Sequence, residues 1–519
     1  MKIFDDYLAE RARLDPVWAT RVGLHDYDDR LTRYDDASYD ARRELTRRTL
    51  DAMRRLDASK LEPADAVDAR LFVGQLEVDD FDYAKRDYRT VSPDLPLGAI
   101  GGVHELLLKD FAPKERRVAS AVARLRQVKL VCGDAKAKVG RPPKLWTQMA
   151  IDDLGGVGAF LDEVPALAGE AAGLKEAIEG ARGAFADYRS WLEKEVLPRS
   201  DGSFVYGRDG FEFRLRRGHL LAFGADELQK VGFREFEATI RLLESCAKAI
   251  DPKRDWKAIL DEMMNDHPSK EALLKTYRDE VARARQWMID RKIVGIPEEK
   301  LELIETPAFM RSTVPFAAYN MPAPLDASRL GLFYVTPEPE GHFLSDIPGT
   351  VWHEAYPGHH LQFVYAKDVD SKVRRLNDSP LLSEGWGFYC EELAHETGYY
   401  DDPRERLMQL NWRLQRAARI ILDVGVHTGT HGYEEAVEYL VAGVRMRREQ
   451  AEASVKAYTQ SPTYFSCYMV GMLEIVRIRE KFRARMGERF TLKEFHERVL
   501  RCGNVPPALI EGELERTWR

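Results

Sequence analysis

The chain has 519 residues, with 78 Lys+Arg against 86 Asp+Glu and a net charge of −8. A length near that of two to four lobes of roughly 150 residues can bury a core without disulfide or metal staples. The acidic balance argues against a phosphate-backbone binder, and no apolar run approaches about 18 residues, so neither nucleic acid nor a membrane is an expected partner.

The N-terminus MKIFDD lacks an apolar stretch and turns acidic at once, which predicts no secretory signal. Five cysteines (Cys132, Cys246, Cys390, Cys467 and Cys502) stand far apart, with no CxxC pair. That spacing fits reduced thiols and a cytoplasmic location. Helical periodicity covers 38–57, where Leu45, Leu50, Met53 and Leu56 recur between charges. It continues through 114–137, 164–197 and 226–250. A long charged helix is predicted over 268–294, stopped by Gly295-Ile296-Pro297. The Gly-rich, aromatic stretch 201–218 reads as a loop or ribbon. Strands are predicted at 302–308 and 329–336, around the turn-rich MPAPLDAS, as a small sheet containing one hairpin. A division near 295 separates an N-terminal helical lobe (1–295) from a C-terminal catalytic lobe (296–519).

Seven of the twelve histidines fall between 342 and 431, and the densest piece is Trp352-His353-Glu354-Ala355-Tyr356-Pro357-Gly358-His359-His360. It begins like the zinc-peptidase signature His-Glu-x-x-His, then departs from it, because position 357 is Pro. On a regular helix, six residues advance about 9 Å and turn about 120° off the face. Seven residues return to the face but lie about 10.5 Å along the axis. Neither His359 nor His360 could then share a metal with His353. Pro357 removes the N–H that would bond the His353 carbonyl, and Gly358 permits an unusual backbone. A Pro-Gly bulge there swings His359 back beside His353, and His359 needs the smaller adjustment.

A catalytic zinc needs a third protein ligand and a position left for water. Twenty-five residues after His359 comes Ser383-Glu384-Gly385-Trp386-Gly387-Phe388-Tyr389, which opens a second predicted helix with Ser383 as N-cap. Glu384 is the expected third ligand, and Glu354 the general base on a metal-activated water. The other His-Glu pair, His104-Glu105, has no histidine following it and reads as structural.

HEAYPGHHLQ (353–362) and SEGWGFYCEEL (383–393) resemble the two hallmark blocks of a bacterial family of unknown function. That family is similar in fold to the gluzincin metallopeptidases, the group of angiotensin-converting enzyme, thimet oligopeptidase and carboxypeptidase Taq. DPVWATRVGLHDYDDRL (15–31), DVGVHTGTHGY (423–433), SCYMVG (466–471) and EFHERVLRCGNVPPALI (494–510) follow the same order of blocks. The resemblance implies one Zn²⁺ per chain on His353, His359 and Glu384, with Glu354 as base. It also implies a C-terminal tyrosine on the oxyanion, for which Tyr468 is preferred over Tyr464.

Asp423 and His427, four apart, are read as facing the cleft, with His427 contacting substrate or oxyanion. The strand 329–336 could offer an edge to an extended peptide. Arg329, Arg374 and Arg477 are candidates for a substrate carboxylate. The expected fold is mainly α: an elongated, two-lobed, zincin-like helical fold with a small sheet beside the metal-binding helix. The expected activity is zinc-dependent hydrolysis of peptide bonds in short peptides. The alternatives are a metal-dependent hydrolase of a non-peptide amide or ester, and a non-catalytic binding protein that retains the fold.

Overall fold

The computed structural model describes residues 1–311 and 314–519. The chain is mainly helical and carries one three-stranded sheet among the described residues. It divides into two compact units, Met1–Phe204 with Ala323–Ser328, and Val205–Pro322 with Arg329–Arg519. No helix of the described residues is long and apolar enough to cross a membrane.

The division falls near 204 and not at 295. The helix expected over 268–294 runs Lys270–Asp290 and ends before Gly295-Ile296-Pro297 is reached, with Lys292 at positive φ. The segment after it stays bound to the second unit. The Ile293 carbonyl accepts from His496 Nδ1 (2.7 Å) and the Gly295 carbonyl from the Tyr365 hydroxyl (2.9 Å). Upstream, the helix Ala225–Ile250 lies along Pro403–Thr428. A Cβ on its Gly232 would meet Ile421 at 2.9 Å, so the glycine sets how close those helices come.

Four of the five helices that periodicity predicts are present, as Asp36–Arg54, Lys114–Lys138, Ala225–Ile250 and Lys270–Asp290. The stretch 164–197 is not one helix. Lys144–Ala168 ends there, and Leu174–Trp191 starts anew after Gly169 and Gly173, both at positive φ. Within 201–218, only the first part is extended, and Arg208–Arg217 is helical.

The strands are β1 (Lys300–Glu305), β2 (Ala317–Asn320) and β3 (Leu330–Val335), in the order β1-β3-β2. β3 pairs parallel with β1, from Lys300↔Leu330 to Glu305↔Val335, and antiparallel with β2. The two predicted strands are therefore parallel neighbours, not a hairpin. β2 escaped notice because AAYN is four residues long with a single aromatic. β3 is paired on both edges and buried on both faces from Gly331 to Val335, so it reads as the unbroken apolar run LGLFYV. Being central, β3 has no free edge for a peptide, which removes the docking role expected of 329–336.

Candidate metal centre

The helix Ile347–Glu354 carries His353 on its last turn and stops where the ladder fails. Residues 355–358 link it to a second helix, His359–Lys367. A Cβ at Gly358 would sit 1.8 Å from the His353 carbonyl oxygen, so only glycine fits this turn. The indole of Trp386 donates to the Pro357 carbonyl (2.9 Å) and clamps the link from outside. The interruption is thus complete, where sequence reasoning expected a bulge within one helix. It leaves the His353 and His359 rings 4.7 Å apart and nearly perpendicular.

Glu384 comes from the helix Pro380–Glu396. Its N-cap position is Ser379, not Ser383, because Pro380 suits the first turn of a helix and starts it earlier. Glycines let this helix approach its neighbours. A Cβ on Gly387 would lie 2.7 Å from the His353 ring, and one on Gly471 would lie 2.0 Å from the Leu381 carbonyl. Such glycines cost about 1 kcal/mol each in a helix. Here they allow the helix Cys467–Met486 to press against Pro380–Glu396.

The outcome is a group of three ligand-type atoms, on His353, His359 and Glu384, all within 4.8 Å of one another. Nε2 of His353 and Nε2 of His359 each lie 3.6 Å from Glu384 Oε2. That is too long for a hydrogen bond. It is close to the roughly 3.3–3.5 Å between ligand atoms of a tetrahedral ion with bonds of about 2.0–2.1 Å. Two imidazoles and a carboxylate aimed at one point fit a divalent cation such as zinc.

Further groups prepare these ligands. His353 Nδ1 donates to Glu391 Oε1 (2.8 Å), the arrangement that keeps Nε2 for the shared point once the ring is neutral. Arg416 donates to the same Glu391 oxygen (2.8 Å). Tyr464 donates to Glu384 Oε1, so only Oε2 faces the imidazoles. Burial alone would raise the Glu384 carboxyl, yet His353 and His359 drive it well below its ordinary value. Burial would lower His353, but Glu384 and Glu391 raise it to about 9. Three carboxylates (Glu354, Glu384 and Glu391) thus crowd a site where Arg416 is committed to one of them. A bound cation would take over the charge that a proton on His353 otherwise supplies.

Glu354 follows His353 directly and is partly exposed, as a carboxylate at a cleft would be. Burial pushes its carboxyl up, against the pull of His359 and His353. Tyr468 stacks on the His353 ring at 6.2 Å, and Tyr464 lies 6.1 Å from Tyr468. Tyr464 sits in a turn before the helix and not on it.

A pattern described as bacterial protein of unknown function (DUF885) matches residues 16–514. The chain belongs to this family. Among curated proteins no sequence matches it. Two solved structures share the family member's fold along nearly its whole length. One, from Shewanella oneidensis, is described as a candidate lipoprotein of unknown function; it is 22% identical, covers 99% of both chains and gives a TM-score of 0.81. The other, a candidate lipoprotein from Colwellia psychrerythraea, is 18% identical, covers 99% of this chain and 98% of that one, with a TM-score of 0.87.

Several other residues that the sequence singles out lie outside this cluster. His360 is turned away: Nε2 donates to Glu299 (3.0 Å) and Nδ1 accepts from the Tyr319 hydroxyl (3.0 Å). His427 is fully buried against Phe211, and its Nε2 donates to the Tyr458 carbonyl (2.9 Å). It is a core histidine, and the substrate role assigned to it falls. Asp423 does not face a cleft either. It accepts from Thr463 N (3.0 Å), Ser466 N (3.0 Å) and Ser466 Oγ (2.7 Å), and so holds the turn that presents Tyr464. Arg329, Arg374 and Arg477 are engaged by Asp368, Glu513 and Glu511.

Glu391 and Arg416 were missed. Glu391 had a signal in the sequence, since seven residues from Glu384 return it to the same helix face. Arg416 had none, because its role depends on a carboxylate from another helix.

Proposed function

We propose that the chain is a zinc-dependent peptidase acting on short peptides, with one ion held by His353, His359 and Glu384. The observation that carries this reading is the pair of 3.6 Å separations from both imidazoles to one Glu384 oxygen. On this reading the two short metal helices, Pro380–Glu396 and the β1-β3-β2 sheet make up a zincin-like catalytic unit related to the gluzincins. A zinc ion there supplies Lewis-acid polarisation of the scissile carbonyl and a lowered pKa for water.

The residues of the chain do the rest. Glu354 takes the proton from the attacking water and hands it to the leaving nitrogen. Glu391 holds the His353 ring in the tautomer that leaves Nε2 free. Tyr468 is the preferred donor to the oxyanion, because Tyr464 already donates to Glu384. We place the protein in the cytoplasm on the wide spacing of its five free cysteines. Recovery of the native protein in a lipid-anchored envelope fraction, as the names of its structural relatives suggest for them, would move it.

The test is metal analysis joined to digestion of an unbiased peptide library. One equivalent of zinc per chain and cleaved peptides are expected. A metal-loaded protein that leaves the library intact but hydrolyses small esters or amides would replace peptide bonds as the target. A protein that takes up no divalent metal would end the reading.

A further inference from the structure

The helix Pro403–Thr428 carries a row of arginines. Arg406 pairs with Glu392 (2.9 Å), Arg413 with Glu235 (3.0 Å) and Glu392 (3.3 Å), and Arg416 with Glu391 (2.8 Å). Arg419 follows Arg416 one turn later, and no carboxylate of the described residues lies within ion-pair distance of it. Its guanidinium stands 4.7 Å from the centre of the Tyr468 ring and 5.7 Å from that of Phe465. The same Tyr468 ring stacks on His353. Glu384, the carboxylate that acts on Arg419 from farther away, is committed to Tyr464 and the two imidazoles.

Arg416 and Arg419 differ in one respect. Arg416 is buried beneath Phe388 and Tyr468 and is spent on Glu391. Arg419 remains partly exposed. A guanidinium held against two aromatic rings with no ion-pair partner among the described residues, and still open on one side, can accept an anion that offsets its partial desolvation. From the peptide-hydrolase reading, on which this inference rests, we infer that the missing anion is the free C-terminal carboxylate of the substrate. Arg419 then sets specificity, and the chain trims peptides from their C-terminal end. The two ring contacts put the guanidinium within about 11 Å of the His353 ring, a gap that at most about three extended residues of about 3.5 Å each span.

Binding tests this without relying on turnover. Zinc-loaded Glu354→Gln protein is titrated by calorimetry with a pool of N-acetylated tripeptides, as free acids and as C-terminal amides. The acids should bind about 10- to 100-fold more tightly, the range of one charged hydrogen-bonded pair. Adding Arg419→Gln should erase the difference, and Arg419→Lys should keep part of it. Equal binding of acids and amides overturns the inference, as does an acid preference that survives Arg419→Gln. Wild-type digestion of the same peptides separates the two readings. An Arg419-dependent acid preference without cleavage sinks the peptidase and keeps the carboxylate site. Cleavage that ignores the C-terminal charge does the reverse.

Discussion

His104-Glu105 and His353-Glu354 present the same dipeptide on two short, largely buried helices, Gly98–Leu108 and Ile347–Glu354. Around the first, His104 packs edge-on against Phe160, and Glu105 pairs with Lys109 one turn on (2.6 Å). Around the second, a broken helix returns His359, another helix brings Glu384, and Glu391 and Arg416 fix the ring. The helical dipeptide is common to both. The difference lies in what other segments deliver to it: an apolar neighbour in one case, converging carboxylates in the other. Burial follows the same division. It lowers the His104 pKa, while at His353 two carboxylates outweigh it and raise the imidazole.

The widest split between the two regions should come from paired amides. Glu354→Gln should keep its metal and lose on the order of 10²–10⁴ in turnover, because an amide cannot accept the water's proton. Glu105→Gln should leave turnover as it is. Metal content and peptide digestion read both, and equal metal loss at Glu354 and at a Glu384→Gln control would make Glu354 a ligand instead of a base.

Glycines offer the next contrast. Gly358→Ala drives a Cβ into the His353 carbonyl, so it should cost about 3 kcal/mol or more and release the metal. Gly101→Ala, on the His104 helix, meets nothing within 4 Å and should stabilise by about 0.5–1 kcal/mol. Urea unfolding measures both. A Gly358→Ala protein with unchanged midpoint and metal would show that the close turn is dispensable.

Glu391→Gln tests whether the buried carboxylate matters to the ligand it touches. Its zinc affinity should fall about 10- to 100-fold, the usual loss for such a partner. Competition with a chromophoric chelator gives the number, and wild-type affinity would reduce Glu391 to packing.

The smallest effect belongs to His104. Its folded pKa lies below the ordinary 6.5, so the unfolded chain binds a proton that the folded one refuses. Its contribution is complete above about pH 7 and declines as pH falls below about 6.5, by at most about 1.4 kcal/mol per pH unit. The drop in stability from pH 7 to pH 5 should therefore be shallower in His104→Leu than in the wild type. Parallel curves would mean that His104 titrates normally when folded.

Legibility in the sequence followed the range of the interaction. The long helices were readable because an apolar residue every third or fourth position is a local pattern. The break at Pro357-Gly358 was readable because a missing N–H acts on its own turn. His353, His359 and Glu384 were readable as ligand types at plausible intervals, and the structure gathers them. His427 was misread because spacing places a side chain on a helix face but does not say what covers that face. Phe211 and the Tyr458 carbonyl cover it.

By itself, then, the sequence determined the helical texture, the interruption at Pro357-Gly358 and the residue types available to a cation. Local stereochemistry sets these, and it acts over a few residues. Only the tertiary structure decided that β3 is central, that the units divide near 204, that Glu391 and Arg416 stand behind His353, and that Arg419 is left without a carboxylate. Each of those depends on a partner far along the chain. Such partners meet only after helices have packed, at distances set by glycines whose purpose no periodicity reveals.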